Sequence, residues 1–227
     1  TCTNNRFTGL NATDRPYNAL LSVGTVGRTN TGNLISNNTF ADTWRPASTS
    51  NMILLGAATD DWTLSNNSFF ETSAFTPTGA NVYTAVNLSN TSGGGHELTG
   101  NYIGGTLEQG LGDPMTVGVT GQSASFVAFQ VNLGNDSLTS LQGNTVTNLN
   151  VTSGSNQPFG AFYVTGGRLN IGTEEGNVVG AVSGTGNVVI TSAASNATSA
   201  GMYMGGSGVI TAANNTLGAI TVTSSSG

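Results

Sequence analysis

Two carboxylates stand at matching places in the sequence and are the first candidates for chemistry. Asp42 and Glu71 each follow an asparagine, Asn38 and Asn67, by four residues. If the chain folds as stacked repeats, this spacing brings the two side chains together, and a glycosidase needs two carboxylates across its sugar. The alternative is that both point into solvent as solubilising charges. We expect this simpler arrangement, and no catalytic residue is predicted.

The remaining polar groups give weaker signals for a metal or a catalytic triad. The acidic pairs Asp60–Asp61 and Glu174–Glu175 could hold a surface calcium ion, but they lack the further oxygen ligands of a strong site and are expected to be solvated turns. His96, the single histidine, lies in the glycine-rich stretch SGGGHELTG and is expected to be exposed. With one histidine and one cysteine, Cys2, a structural zinc site within one chain is excluded. We predict no metal and no cofactor.

These residues are carried by a repeat of about 35 residues. Its marker is an asparagine followed by a small residue and then an apolar one, as in SNNTF, SNNSF and ANNTL. The marker asparagines are Asn5, Asn38, Asn67, Asn101, Asn144, Asn177 and Asn215. One structural unit per repeat follows.

Each repeat contains three short segments typical of strands. Examples are 145–152 for the first segment, 51–55 and 160–164 for the second, and LIS before Asn37 for the third. They are rich in β-branched and aromatic residues and are bounded by turn residues, and no window has a helical period. This predicts an all-β protein, a right-handed parallel β-helix of six to seven coils, forming a single domain over 1–227. An antiparallel sandwich is the competitor, but its strands do not recur as a fixed triplet.

Stacked coils place equivalent residues in columns. The marker asparagines are predicted to form a hydrogen-bonded ladder in one turn, because an asparagine side chain can bond to the coils above and below and tolerates a left-handed backbone. The apolar marker positions are predicted to form an interior column of Phe7, Phe40, Phe69, Ile103, Val146, Val178 and Leu217.

The repeat strings ANNTLGAITVTSSSG and GMYMGGSGVITAANNTLG resemble the β-strand repeats of very large bacterial surface proteins. That group lies within the broader set of secreted β-helix proteins, which also holds pectate-lyase-like enzymes, tail spikes and adhesin stalks. The resemblance implies a secreted or cell-surface protein. The calcium-binding aspartates with a catalytic Arg or Lys, typical of lyases with this fold, are not found in this sequence.

Composition excludes several other classes of function. Only 7% of the residues are charged, and the five basic ones are scattered arginines, too few to bind nucleic acid. No run approaches the roughly 18 apolar residues that span a bilayer, so membrane insertion is not expected. Neither end of the sequence has a recognisable cap, which favours a segment of a longer solenoid or one that stacks end to end with copies of itself.

Three hypotheses for function remain open. The leading one is a non-catalytic structural module of an extracellular filament or adhesin, with itself or neighbouring solenoid segments as partner. The second is a binding face on the side of the solenoid. It would bind glycan through the exposed aromatics Trp44, Trp62, Phe70 and Tyr102, or ice through the column Thr39, Ser68, Tyr102, Thr145 and Thr216, which Tyr102 and Val178 interrupt. The third is a polysaccharide-active enzyme.

Overall fold

The chain is built almost entirely from short parallel strands. The computed structural model describes residues 1–9, 11–119, 121–184, 187–194 and 197–224. Over this part, two single 3-10 turns, Ala12–Asp14 and Glu108–Gly110, are the helical elements.

The strands follow one another at short intervals along the chain. In the first half they are β1 (Cys2–Thr3), β2 (Arg6–Thr8), β3 (Asn18–Ser22), β4 (Asn30–Thr31), β5 (Leu34–Ser36), β6 (Thr39–Ala41), β7 (Ser50–Leu55), β8 (Thr59–Asp60), β9 (Thr63–Ser65), β10 (Ser68–Phe70), β11 (Val82–Asn90) and β12 (Glu97–Thr99). In the second half they are β13 (Tyr102–Ile103), β14 (Met115–Gly118), β15 (Ser125–Leu133), β16 (Leu138–Gln142), β17 (Thr145–Val146), β18 (Leu149–Ser153), β19 (Phe159–Ile171), β20 (Val178–Gly180), β21 (Val188–Ser192), β22 (Ala200–Ala212), β23 (Thr216–Gly218) and β24 (Ile220–Ser224).

Each strand pairs with its equivalent one repeat away, and every such pair is parallel. The largest sheet runs β1-β5-β9-β12-β16-β19-β15-β11-β7-β3, with β22 paired to β19. A second runs β2-β6-β10-β13-β17-β20-β23, a third β14-β18-β21-β24, and β4 pairs with β8. Parallel neighbours that are a whole repeat apart in sequence are stacked coils, so the predicted parallel β-helix is confirmed.

The strands within a coil differ in detail from the predicted triplet. The predicted first segment, 145–152, is two strands, β17 and β18, because the backbone turns at Asn148, whose φ is 54°. In the later coils the second and third segments join, so that β19 and β22 each continue from one face of the solenoid to the next. This is why one sheet covers two faces.

The core is a set of columns of apolar side chains along the solenoid axis. Phe7, Phe40 and Phe69 stack with nearly parallel rings, and the ring centroids are 4.6 and 5.0 Å apart. The strand register continues this column through Ile103, Val146, Val179 and Leu217. Val178 was therefore the wrong choice for the interior. It pairs with Thr145 one position earlier, and Val179 is fully buried instead.

Candidate functional site

The seven marker asparagines lie one above the other and are joined by side-chain hydrogen bonds. In each step, both the backbone N–H and the Nδ2 of one asparagine donate to Oδ1 of the next, from Asn5 through to Asn215, over 2.8 to 3.1 Å. The second Nδ2 hydrogen goes to a backbone oxygen, as from Asn101 to Leu64 at 2.9 Å. Five of the seven, Asn38, Asn67, Asn101, Asn144 and Asn177, are buried.

The ladder performs a structural task. The turn after β5, β9, β12 and β16 leaves backbone donors inside the solenoid, and buried backbone groups without partners are costly. Each asparagine supplies an acceptor for the coil before it and a donor for the coil after it. With their hydrogen-bonding groups already engaged inside the turn, these side chains hold the coil spacing and are not available to a ligand.

The proposed threonine face is an aligned column, but part of it is covered. The register places Thr39, Ser68, Tyr102, Thr145, Val178 and Thr216 side by side. The loop 104–114 folds back over the first of these residues. Thr39 Oγ1 donates to Glu108 Oε1 at 2.6 Å, and the Gln109 N–H donates to Ser68 Oγ at 3.1 Å. Thr39 and Ser68 are buried, so the column is covered at this end, whereas Tyr102, Thr145 and Thr216 are partly exposed.

The aromatic residues proposed to contact glycan are mostly internal. Trp44, Trp62 and Phe70 are buried, and only Tyr102 is partly exposed. Trp44 packs against Phe75, with ring centroids 5.7 Å apart, and its indole N–H donates to the Thr84 backbone oxygen. The expectation that these aromatics form an exposed binding face is wrong, because the coils are wide enough to enclose them in the core.

Asp42 and Glu71 do come together, through an arginine that the sequence gave no reason to expect. Arg15 Nη1 donates to Glu71 Oε2 at 2.6 Å, and its Nη2 lies 3.8 Å from Asp42 Oδ1. The same Nη1 also donates to the Trp44 backbone oxygen. Glu71 is 1% exposed and Arg15 is buried, so the expectation of two solvated carboxylates is wrong. Equally, a carboxylate enclosed in this way cannot reach a sugar.

The electrostatics of this cluster follow from its burial. Loss of solvent raises the pKa of Glu71 to about 8, against the lowering effect of Arg15, and the nearby charge of Asp42 raises it further. One guanidinium facing two carboxylates is neutral when one of the carboxylates carries a proton. The cluster is therefore a buried element that fastens the first coil to the next two.

His96 is also buried rather than exposed. Its ring Nδ1 accepts the Trp62 backbone N–H at 3.2 Å, and the backbone N–H of His96 donates to Thr139 Oγ1 at 3.1 Å. Nε2 is enclosed, and none of the described residues forms a hydrogen bond with it. Burial lowers the pKa of His96 to about 4, although the charge of Asp61 acts in the opposite direction. The ring is neutral at physiological pH and serves as an acceptor inside a turn.

Of the two acidic pairs, Glu174–Glu175 lies in the bend after β19, whereas Asp60 ends strand β8 and Asp61 follows it. Asp60 accepts from Asn90 Nδ2 and from the Gly94 N–H, so it braces two adjacent turns. Glu174 and Glu175 lie beside Gln142, whose Oε1 accepts both of their N–H groups. In the described ranges, no three His, Cys, Asp or Glu side chains are grouped so that they could hold a metal ion. Nor does this part of the chain contain a helix long and apolar enough to cross a membrane.

A concave recess lies on a different face, along the outer surface of β7, β11, β15, β19 and β22. It has a volume of about 280 Å³. One side is formed by Tyr163 and Tyr203, which pair in register and stack with centroids 4.5 Å apart and ring planes 10° from parallel. Beside them, Gly160 and Ala200 are small and leave the recess open. We call this recess the tyrosine groove.

Amide side chains form the floor of the tyrosine groove. Asn51 donates from Nδ2 to Asn18 Oδ1 at 2.8 Å, and Asn87 donates from Nδ2 to Asn51 Oδ1 at 3.1 Å. The Asn87 Oδ1 atom is enclosed and has no hydrogen-bond partner in the part of the chain that the structure describes. Gln130 follows Asn87 in the same column and precedes Tyr163. The groove thus combines two stacked rings with a row of amide side chains.

The second segments of the repeats contain a sequence signal for this groove. Aligning the second segments FVAFQV, GAFYV and GMYM places Gln130, Tyr163 and Tyr203 in one column. Arg15, in contrast, lies in an irregular stretch of the first coil, and nothing in the repeat pattern marks it. Long-range partners of this kind depend on the path of a loop, which periodicity does not specify.

No protein-family model, curated protein or solved structure matches this chain. The all-parallel stacked sheets are compatible with the β-helix architecture that the resemblance implies.

Proposed function

We propose that this chain is a non-catalytic structural β-solenoid module of an extracellular or cell-surface filament or adhesin. Its partner is another solenoid coil, from a second copy of the chain or from a neighbouring segment, stacked end to end. The observation that carries the proposal is the exposure of core-type residues on the coil formed by β22, β23 and β24.

On that coil, the interior columns are uncovered on one side. Leu217 continues the column that begins at Phe7, yet 48% of its surface is exposed, and Val222 on β24 is 59% exposed. Their equivalents one coil earlier, Val179 and Ile190, are buried. A further coil in the same register would bury these side chains and add strands beside β22 and β23, which is the means by which solenoids gain stability.

The ladder supports the same geometry. Asn215 accepts from Asn177 as the other members do, and its Nδ2 donates to Ile171 and Ala213 backbone oxygens at 2.8 Å. In inner members such as Asn144, one Nδ2 hydrogen goes to a backbone oxygen and the other to Oδ1 of the next asparagine. An asparagine in a stacked coil would continue the series, as each internal step does. The location outside the cell rests on the resemblance of the repeat strings to surface proteins.

Mass measured by sedimentation over a concentration series, with negative-stain microscopy of the same samples, tests the association. We expect rods that lengthen in steps of one chain. The double variant Leu217→Glu with Val222→Glu should prevent growth, because it places charges in the stacked face. Val26→Glu is the matched control, since Val26 is 96% exposed in a side loop. A parent chain that stays monomeric at every concentration would contradict end-to-end association. Antibody labelling of intact source cells tests the location.

A further inference from the structure

The first and last coils both carry core-type side chains that the solenoid covers only in part. Among the described residues, the apolar side chains that pack against the core while only partly buried lie on these two coils: Cys2, Phe7, Ala19 and Leu20 on the first, and Met202, Ile210 and Ile220 on the last. An inner coil has a neighbour on each side, and its interior side chains are buried. Each end coil therefore offers apolar surface to whatever stacks on it.

The strand register joins the side chains of the two end coils into common columns. Three interior columns can be followed from the first coil to the last through every pairing. They join Cys2 to Ala212, Phe7 to Leu217, and Leu20 to Met202. If the last coil of one chain lies on the first coil of another, each column therefore meets its own beginning, with apolar side chains on both sides of the contact.

The asparagine ladder gives this contact a direction. At every step the earlier asparagine donates and the later one accepts. The first coil therefore presents the Oδ1 acceptor of Asn5, to which none of the described residues donates, and the last coil presents the donors of Asn215. The Nδ2 hydrogen that inner members give to the next asparagine goes in Asn215 to the Ala213 oxygen, at 2.8 Å. Donor meets acceptor only when unlike ends are joined, because two first coils would place oxygen against oxygen.

Strand direction and charge favour the same arrangement. Joining unlike ends keeps the new strand pairs parallel, as they are between the coils of one chain, whereas turning one chain over would make them antiparallel. The last coil, residues 200–224, contains no acidic or basic side chain, so it takes no charge out of water. On the first coil, Arg6 is directed to the side of the solenoid, where its Nη1 lies 3.6 Å from Glu108 Oε1.

We propose that the partner of the last coil is the first coil of a second copy of this chain, joined head to tail in continuous register. Leu217 then packs on Phe7, Met202 packs on Leu20, and Asn215 donates to Asn5 Oδ1. The two contacting surfaces differ, so every assembly keeps one end of each kind and grows as a filament instead of closing as a dimer. This inference rests on the end-to-end association proposed above and adds the identity, direction and register of the partner.

Cys2 allows the register and the direction to be tested with a disulfide. In the proposed contact, position 212 of one copy lies beside Cys2 of the next at the strand spacing of about 5 Å, which suits a disulfide. Within one chain the two positions are six coil spacings apart, about 29 Å, so they cannot react with each other. The parent chain, which has Cys2 alone, is mixed with the double variant Cys2→Ser with Ala212→Cys and oxidised mildly. Intact mass should show disulfides between the two kinds of chain, and neither kind alone should form dimers.

Cys2→Ser with Thr211→Cys is the matched control. Thr211 precedes Ala212 on β22 and is exposed as well, but its side chain points to the opposite face of the strand, away from the Cys2 column. This variant should give at least about tenfold less mixed disulfide with the parent.

Sedimentation of the parent chain separates this inference from the proposed function. Rods that form without the mixed disulfide would overturn the register and leave end-to-end association standing. Disulfide dimers from either kind of chain alone would mean that like ends meet, which would overturn the direction. A parent chain that stays monomeric at every concentration would overturn both proposals.

Discussion

Arg15 donates to the buried carboxylate of Glu71 across 56 positions of sequence, over 2.6 Å. The arginine comes from the irregular stretch of the first coil, and the glutamate lies four residues after Asn67, the third marker asparagine, so the contact spans three layers of the solenoid. The backbone N–H of Trp44 donates to the other oxygen of Glu71, Oε1, at 3.3 Å. Asp42 lies on the coil between them and is held by Thr72, whose N–H and Oγ1 both donate to it at 2.8 Å. The cluster thus encloses Arg15 and Glu71, and its charge is balanced when one of the two carboxylates is protonated.

The stability of the protein should therefore depend on the protonation of Glu71. Its pKa is raised from 4.5 to about 8 on folding, so the folded chain holds a proton that the unfolded chain releases. Stabilisation is complete below the unfolded pKa and is lost as pH rises through the folded one. From about pH 6.5 to 8.5 the unfolding free energy should fall by about 2 kcal/mol, measured by denaturant unfolding.

Glu71→Gln is the control for this pH dependence. The amide does not titrate, so the variant should lose that slope, with an offset common to both pH values from the changed contacts with Arg15 and Trp44. Parallel curves for parent and variant between about pH 6.5 and 8.5 would show that Glu71 does not change its protonation on folding.

His96 should give a pH dependence of the opposite sign. Its pKa is lowered from 6.5 to about 4 by burial, so below pH 6.5 the unfolded chain binds a proton that the folded chain excludes. Stability should fall by about 2 kcal/mol between about pH 6.5 and 5. The measurement belongs in the Glu71→Gln background, because over the same interval the folded chain holds a proton on Glu71 that the unfolded chain mostly lacks, which gives a slope of opposite sign.

In that background, adding His96→Gln should remove most of the slope. Glutamine offers an oxygen that can accept the Trp62 N–H, the bond now made by Nδ1, and it does not titrate. If the slope between about pH 6.5 and 5 is the same with and without His96, the buried ring is not its source.

The repeat pattern was sufficient for the architecture because stacking converts sequence spacing into position. Every marker asparagine lies in one column, and the strand register follows the marker even where the interval lengthens from 29 residues to 43. The extra residues of the longer repeat form the loop 104–114, outside the coil. The prediction of the Thr39 column did not include this loop, because an insertion's length does not tell which face it covers.

The burial of individual polar side chains could not be predicted from the sequence. Glu71 and His96 are polar residues beside turn-like strings, and both patterns are typical of exposed positions. Their burial depends on partners from other coils, Arg15 and the Trp62 backbone. Local sequence indicates whether a residue type prefers an exposed or a buried position. The partners that bury Glu71 and His96 come from other coils, and local sequence does not identify them.

Substitution of an inner asparagine of the ladder should lower the free energy of unfolding strongly, because its hydrogen bonds are buried. Asn101→Ala removes the acceptor for the Asn67 N–H and Nδ2 and the donor to the Leu64 oxygen. All these groups are buried, and unsatisfied groups cost about 1–3 kcal/mol each, so we expect a loss of at least about 3 kcal/mol in unfolding free energy. Asn150→Ala, in the middle of β18 and outside the ladder, should change it by less than about 0.5 kcal/mol. Similar losses for the two variants would contradict the role of the ladder.

Close stacking of the coils should make Gly206 much less tolerant of substitution than Gly27. Gly206 and Gly27 have almost the same positive φ, 77° and 78°. A Cβ added at Gly206 would overlap the backbone oxygen of Thr165 on the coil below, whereas one added at Gly27 would meet nothing within 4 Å. Gly27→Ala therefore carries only backbone strain, about 1 kcal/mol. Gly206→Ala must also separate β22 from β19, and we expect a loss of about 3 kcal/mol or more by denaturant unfolding. Equal losses would mean that backbone strain accounts for both and that the coils have room to move apart.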